Sequence, residues 1–405
     1  MIPFSPPRID QRIIDEVTAA LQSGWITTGP RTKLFEKKLS EYTGAPATLC
    51  LNSATAGLEV ILRWYGVGPG DEVILPAYTY AATANVVIHC GGTPVFVDVR
   101  ADDFCIDVEA AAKAITPRTK VIMPVDIGGF PADYAALIAL AESRKAEFTA
   151  ATDAQRQLGR ILILGDAAHS IGAFLNGIPA GRHCDISCFS FHAVKNLTTA
   201  EGGSVNLNLP APFDNEALYK WLCMYTLHGQ TKDALAKMQK GNWRYDIVEA
   251  GYKCNMTDLQ AAIGLVELER YTTDTLVRRR EIFDRYVNAF SQYSWAQLPV
   301  FERGGTVSSF HLFLLRIKGI TEAQRDAIIQ RIFDADVSVN VHYVPVPMMT
   351  FYKNLGYNVH DYPVTYDNYA REISLPVYYD LTNEQVDTVV RAVANAVAAE
   401  TGMHD

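Results

Sequence analysis

The chain holds 405 residues, with 36 Lys and Arg against 45 Asp and Glu, a formal net charge of −9 at pH 7. Hydrophobic residues make up 49% and charged residues 20%, which excludes a disordered chain and a disulfide-stapled miniprotein and predicts two or three packed domains at about 150 residues each. The acidic balance argues against nucleic acid as the main partner, because phosphate binding needs clustered cations.

The opening stretch MIPFSPPRIDQ is proline-rich and lacks an apolar run, so no signal peptide is expected. A first helix follows from Asp10 to Leu21. Ile13, Ile14, Val17 and Leu21 recur at helical spacing, Asp10 is the cap candidate and Gly24 the stop. A second helix carries Leu34, Phe35, Leu39 and Tyr42 and ends at Gly44. Short apolar runs then alternate with helical stretches. The strand candidates are 47–51, 72–75, 94–99, 120–125, 161–164, 186–191 and 204–208. Strand–helix alternation of this kind predicts an α/β domain with a seven-stranded, mainly parallel sheet. The polar segment 141–160 reads as a helical surface crossover.

After about residue 262 the pattern changes, which predicts a large α/β domain over 1–262 with an N-terminal arm and a smaller α+β domain over 263–405. A long helix (roughly 257–290) leads to FHLFLLRI (310–317), a helix near 321–334 and the apolar VSVNVHYVPV (337–346). Within the long helix, Arg278, Arg279 and Arg280 read as a solvated face. Thr382 and Gln385 form a possible capping box, and Val386, Val389, Val390, Val393 and Val397 share the helical face behind it. No window nears the ~18 apolar residues of a membrane span. The seven cysteines include no C-x-x-C pair, which predicts reduced thiols and a cytoplasmic setting.

In open parallel sheets, ligands bind beyond the carboxyl ends of the strands. Reactive residue types gather at those predicted ends: Ser53, Ala54 and Thr55 after the first strand, Tyr78 and Tyr80 after the second, Asp126 after the fourth, Asp166 at the fifth, Lys195 after the sixth. Small residues in NSATAG (52–57) lead into a helix, and its free amides and hydroxyls suit either a phosphate or a plain N-cap. Asp166 follows a buried apolar run, where a carboxylate needs a cationic partner such as a protonated pyridine nitrogen, or else caps a helix. His169, three residues on, suits a core position as well as a site. Lys195 lies in SCFSFHAVKNLTTAEGGSV (187–205), between an apolar strand and Gly202–Gly203. A lysine partly desolvated there loses its proton more readily and becomes nucleophilic. Ser190 is in reach of a phosphate, and the two glycines allow close backbone approach.

These segments resemble the DegT/DnrJ/EryC1/StrS family of nucleotide-sugar aminotransferases. The likeness runs from GWITTGP (24–30) through LNSATAGL (51–58), GDEVILPAYTYAATANVV (70–87), GDAAHSIGA (165–173) and SFHAVKNLTTAEGG (190–203) to GYKCNMTDLQAAIGLVELER (251–270), and more weakly onward. The resemblance implies the fold-type I architecture of pyridoxal 5′-phosphate transferases. It implies that Lys195 holds the cofactor covalently and shuttles protons, and that Asp166 pairs with the ring nitrogen. Tyr80 would stack on the ring, His169 would lie near its phenolic oxygen, and Ala54, Thr55 and Ser190 would bind the phosphate. Thr28, Gly29, His192 and Asn196 would meet the sugar. The family's GY-x-x-x segment crosses a homodimer interface, which makes Lys253 a contact to the partner's cofactor. The implied reaction moves an amino group from glutamate to a nucleotide-linked 4-keto sugar, for cell-surface polysaccharide, lipopolysaccharide or a related glycoconjugate. GYK-x-N resembles the branch that makes 4-amino-4-deoxy-arabinose on a uridine nucleotide.

Three other readings compete. A sugar dehydratase of the same fold carries histidine at the lysine position, and Lys195 argues against it. A metal hydrolase on Asp166, His169 and His192 has only a D-x-x-H spacing behind it, so no metal is expected. A non-catalytic sugar-binding or regulatory relative would not need Lys195, Asp166 and the phosphate segment together.

Overall fold

Seven short apolar segments pair into one sheet in a computed structural model that describes residues 1–232 and 243–404. They are β1 (Ala47–Leu51), β2 (Glu72–Pro76), β3 (Thr93–Val97), β4 (Thr119–Ile122), β5 (Leu162–Asp166), β6 (Ile186–Ser190) and β7 (Gly203–Leu207). The spatial order is β1-β7-β6-β5-β4-β2-β3. β7 runs antiparallel to both neighbours, and every other pair is parallel. All seven predicted strands are present, shifted by up to three residues at their ends, and the architecture is that of fold-type I.

Parallel strands must be covered on both faces, so they read as continuous apolar runs. Alternate side chains serve opposite layers. Val73 and Leu75 join one core with Leu58 and Ile61, while Ile74 joins the other with Tyr134 and Leu137. The helices α1 (Gln11–Gln22), α2 (Pro30–Thr43), α3 (Ala54–Tyr65) and α4 (Ala81–His89) supply much of this cover. α1 starts at Asp10, whose side chain accepts from the Ile13 amide at 3.3 Å. Of its predicted apolar face only Ile13 is buried, and Ile14 and Leu21 stay 48% and 55% exposed. The start of α2 is capped from a distance. Buried Asp258 accepts from the amides of Gly29 (2.8 Å), Arg31 (3.0 Å) and Thr32 (2.9 Å) and from the Thr32 hydroxyl (2.7 Å). A carboxylate there satisfies orphan helix amides and complements the helix dipole.

Arg160 and Asp185 lock the amino ends of β5 and β6. Two parallel contacts of 2.7 Å join them, and the Ile163 amide donates to the same carboxylate at 2.9 Å. Both side chains are buried. Asp185→Ala leaves the buried guanidinium with only its Nε contact to Glu142 (2.8 Å) as an ion pair, and the expected loss is about 3 kcal/mol in urea unfolding. Unchanged stability would show that the pair carries no such load.

A second, three-stranded antiparallel sheet holds β8 (Ala296–Gln297), β9 (Phe313–Ile317) and β10 (Glu372–Leu375), in the order β8-β9-β10. Its core includes Phe283, Phe290, Phe313, Ile328 and the valine face of the helix Asn383–Thr401, which starts at the predicted capping box. Ile2 also joins that core, through a bridge to Val337.

Several expectations need correction. The long helix is Asp258–Arg270, a π turn over Tyr271–Thr275, then Leu276–Phe290. Segment 141–160 is not one helix: Tyr134–Ser143 and Asp153–Leu158 flank irregular chain. Within the apolar segment 337–346 only isolated bridges form, at Val337 and Asn340, and the strand beside β9 is β10, which sequence reading missed. Arg279 is not solvated. It is buried, with Nε donating to the Phe310 carbonyl (2.8 Å) and Nη2 to that of His311 (2.6 Å), because consecutive helix positions point about 100° apart.

Candidate active site

The carboxyl ends of β1, β2, β5 and β6 open onto one cavity of about 360 Å3. α3 begins at that edge. Ser53 caps it, accepting from the Ala56 amide at 3.1 Å, while the Ala54 and Thr55 amides find no acceptor among the described residues. Both residues line the cavity, so the plain-cap reading and the anion-cradle reading hold together. Gly203 makes the cradle possible. It pairs with Leu51 on one side and Ser190 on the other, and a Cβ at this position would lie 2.3 Å from the Ala54 nitrogen. Ser190, at the end of β6, lines the same cavity, and its Oγ accepts from the His192 amide at 3.4 Å.

Asp166 ends β5 and is buried. Its Oδ2 accepts from Thr83 Oγ1 at 2.8 Å and its Oδ1 from the Ala168 amide at 3.3 Å. Burial raises its pKa, while those two bonds and the charge of Lys195 pull it back. No cation bonds this carboxylate among the described residues. Lys195 sits in the turn after β6, with its amide donating to the His192 carbonyl at 2.9 Å. Burial lowers its pKa to about 8 against the attraction of Asp166. Its Nζ has no hydrogen bond among the described residues, which leaves the amine free to react.

His169 is oriented from both sides. Its Nδ1 accepts from the Gly128 amide at 3.2 Å, so Nε2 carries the proton and donates to the Tyr343 hydroxyl at 2.8 Å. Burial, then Lys195 and His342, hold the imidazole neutral with a pKa well below the usual value. Tyr80 is 61% exposed at the rim, with its ring 5.5 Å from that of Tyr343. His192 is also at the rim, 3.6 Å from Glu201.

The cavity therefore joins Ala54, Thr55, Tyr80, Asp166, His169, Ser190, His192 and Lys195. Four expected contacts lie elsewhere in this chain. Asn196 is buried outside the cavity wall, its amide donating to the Ser309 carbonyl (2.7 Å) and its oxygen bonded to His311 Nδ1 (2.7 Å). Gly29 gives its amide to Asp258. The Thr28 hydroxyl donates to the Met256 carbonyl. Lys253 is exposed and bonded to Asn255. Sequence reading missed His342 and Tyr343, which line the far wall, and Thr83, which holds Asp166. His342 and Tyr343 lie within the apolar run 337–346, where no residue type announces a wall position.

The donor set has a definite chemistry. One end offers amides and hydroxyls to an anion, the middle a buried carboxylate lacking a cation, and the floor a lysine that is partly neutral near pH 8. A phosphorylated pyridine aldehyde fits all three.

Residues 7–394 match the DegT/DnrJ/EryC1/StrS aminotransferase family. The spore coat polysaccharide biosynthesis protein SpsC of Bacillus subtilis (strain 168) is 36% identical over 402 residues, covering 98% of this chain and 97% of that protein. The PMP form of the putative sugar aminotransferase Spr1654 from Streptococcus pneumoniae superposes with a TM-score of 0.95 at 47% identity, over 99% of this chain and 100% of that one. PseC of Helicobacter pylori, an aminotransferase of pseudoaminic acid biosynthesis, gives 0.86 at 26% identity, over 98% of this chain and 99% of that one.

Proposed function

This chain belongs to the DegT/DnrJ/EryC1/StrS aminotransferase family, and from that premise we propose that it moves an amino group from glutamate to C4 of a nucleotide-linked 4-keto sugar. It is a pyridoxal-phosphate-dependent sugar aminotransferase; the donor, the sugar and the residue roles are our reading. The product, a 4-amino-4-deoxy sugar, would enter cell-surface polysaccharide, lipopolysaccharide or a related glycoconjugate, a use supported by the name of the Bacillus relative. The observation that carries this reading is the meeting of Lys195, Asp166 and the start of α3 in one cavity.

Pyridoxal phosphate, when bound, supplies an electron sink for the charge left when a bond at the amino carbon breaks. The amides of Ala54 and Thr55 and the hydroxyls of Thr55 and Ser190 would hold its phosphate. Asp166 would keep the ring nitrogen protonated, and Tyr80 would cover a ring face. His169, neutral and fixed by Gly128 and Tyr343, would donate no net charge beside the phenolic oxygen. Lys195 Nζ, a nucleophile when neutral, would bind the aldehyde carbon of the cofactor. As a free amine it would take the proton from the donor's Cα, and in the second half-reaction it would set a proton on C4 of the sugar. His192, at the rim, would meet the sugar or its nucleotide.

We also read the working unit as a homodimer. Ile9, Ile14, Leu21 and Ile26 near the N-terminus, and Trp243, Tyr245, Ile247 and Val248 in one loop, are large apolar side chains left exposed in the single chain. Thr28, Gly29 and Lys253 would then serve the partner's cavity. A cytoplasmic reaction is supported by seven free cysteines, and no helix among the described residues is long and apolar enough to cross a membrane.

The test is to incubate the purified protein with glutamate and a panel of nucleotide-linked 4-keto sugars and follow the ketone-to-amine mass shift. One sugar is expected to be aminated while 2-oxoglutarate accumulates. A cofactor-loaded enzyme that aminates none of them removes the 4-keto assignment.

A further inference from the structure

One wall of the cavity is backed by polar groups that the amino exchange above leaves unused. Glu372 opens β10 in the second sheet and is buried, with Ser374 two residues on. Glu372 Oε1 and Ser374 Oγ are 2.6 Å apart, and Ser374 Oγ and His342 Nδ1 are 2.9 Å apart. The backbone amide of His342 donates to Glu372 Oε2 at 3.0 Å, closing the loop. The His342 ring stacks on Phe4, with centroids 5.4 Å apart, and lines the cavity beside Lys195 and Tyr343. With Nδ1 committed to Ser374, Nε2 is the ring nitrogen left for the cavity.

A hydroxyl carries one proton, so its neighbours decide which way it points. Ionised Glu372 only accepts. Ser374 then donates to it and accepts from His342 Nδ1–H, and Nε2 shows a lone pair. Protonated Glu372 donates to Ser374, Ser374 donates to Nδ1, and Nε2 carries a proton. The two states differ by one proton. It bonds to Nε2 from the cavity side as Nδ1–H passes to Ser374 Oγ and the Ser374 proton passes to Glu372 Oε1, leaving both end groups neutral.

We propose that Glu372 and Ser374 act as positioning residues that set whether His342 presents a hydrogen-bond donor or an acceptor to the sugar. The relay stands on the distances above, and its ligand rests on the transaminase reading. The groups facing Glu372 are Arg316 of β9, Arg325 of the helix Glu322–Asp334, Tyr78 after β2, and Tyr343; neighbouring Arg371 is tied to Asp367. Burial raises the Glu372 pKa to about 8, with the bonds from Ser374 and His342 and the charges of Arg325 and Arg316 pulling it back. Burial and the charge of Lys195 lower His342 to about 3, so a lasting imidazolium is not part of the switch. The donor state therefore holds below about pH 8, where it suits a sugar carbonyl or hydroxyl oxygen.

The experiment is nuclear magnetic resonance of isotope-labelled histidine in the holoenzyme without substrate, titrated through pH 8 in each direction, with His342 assigned from its missing signals in His342→Gln. In the wild type the proton is expected to move from Nε2 to Nδ1 as pH rises. In the wild type KM for the sugar is expected to rise above pH 8 as the donor is lost; Glu372→Gln, whose amide donates to Ser374, is expected to keep the proton on Nε2 throughout and to show no such rise. A wild-type His342 that keeps one tautomer throughout overturns the proposal, as does a Glu372→Gln protein that titrates like the wild type. Should that variant not fold, the wild-type titration still decides. The readout needs no sugar, so failure here is separate from failure of the transaminase reading.

Discussion

Lys195→Ala is expected to cut turnover below about one-thousandth of wild type, because one substitution removes both the nucleophile and the proton carrier. The same change is expected to abolish the absorption band of the lysine-attached cofactor, and borohydride reduction with peptide mapping should no longer label position 195. Stability should change little, since Nζ donates no hydrogen bond among the described residues and its burial disfavours the charged form. Lys195→Arg makes the stricter comparison. It keeps a cation near Asp166 but offers no neutral amine at any working pH. Arginine should therefore be as inactive as alanine, which separates nucleophilicity from charge. Wild-type turnover in either variant, or labelling at another lysine, would end the assignment.

Much of this site could be read from the sequence because strand ends carry it. Asp166 follows LILG, Lys195 follows the strand that ends at Ser190, and Ser53–Thr55 follow ATLCL. An apolar run with a reactive residue at its end is a local pattern, and the sheet brings those ends to one edge. The direction of β7 was not local in that sense. Gly203–Leu207 is as buried as its neighbours, yet it runs antiparallel, since residues 191–202 form turns with no crossover helix. The far wall was hidden for another reason. His342 and Tyr343 belong to an irregular stretch whose apolar alternation resembles a strand. Their place depends on contacts with Ser374, Phe4 and His169, which are remote in sequence. Asn196 shows the converse failure. It neighbours the lysine, but in a tight turn adjacent side chains diverge, and this one serves Ser309 and His311.

Asp166→Asn should separate folding from chemistry at this edge. The amide keeps the shape and can still accept from Thr83, so the sheet has no reason to rearrange. A carboxylate whose folded pKa is raised by burial adds stability only while protonated, and that contribution is lost as pH rises through the folded value. Above that folded value the cofactor-free wild type carries a disfavoured charge that asparagine removes. The apo variant is expected to melt at or above the wild-type temperature. Catalysis should move the other way. An amide cannot hold the ring nitrogen protonated, and losing a preorganised charge partner in a water-poor site costs about 10²–10³-fold in rate. Because the electron sink serves both half-reactions, kcat/KM for the donor and for the sugar should fall together. A loss confined to one substrate would mean that Asp166 touches that substrate instead. Unaltered kinetics in a variant that still binds cofactor would mean that the buried charge faces no ring nitrogen at all.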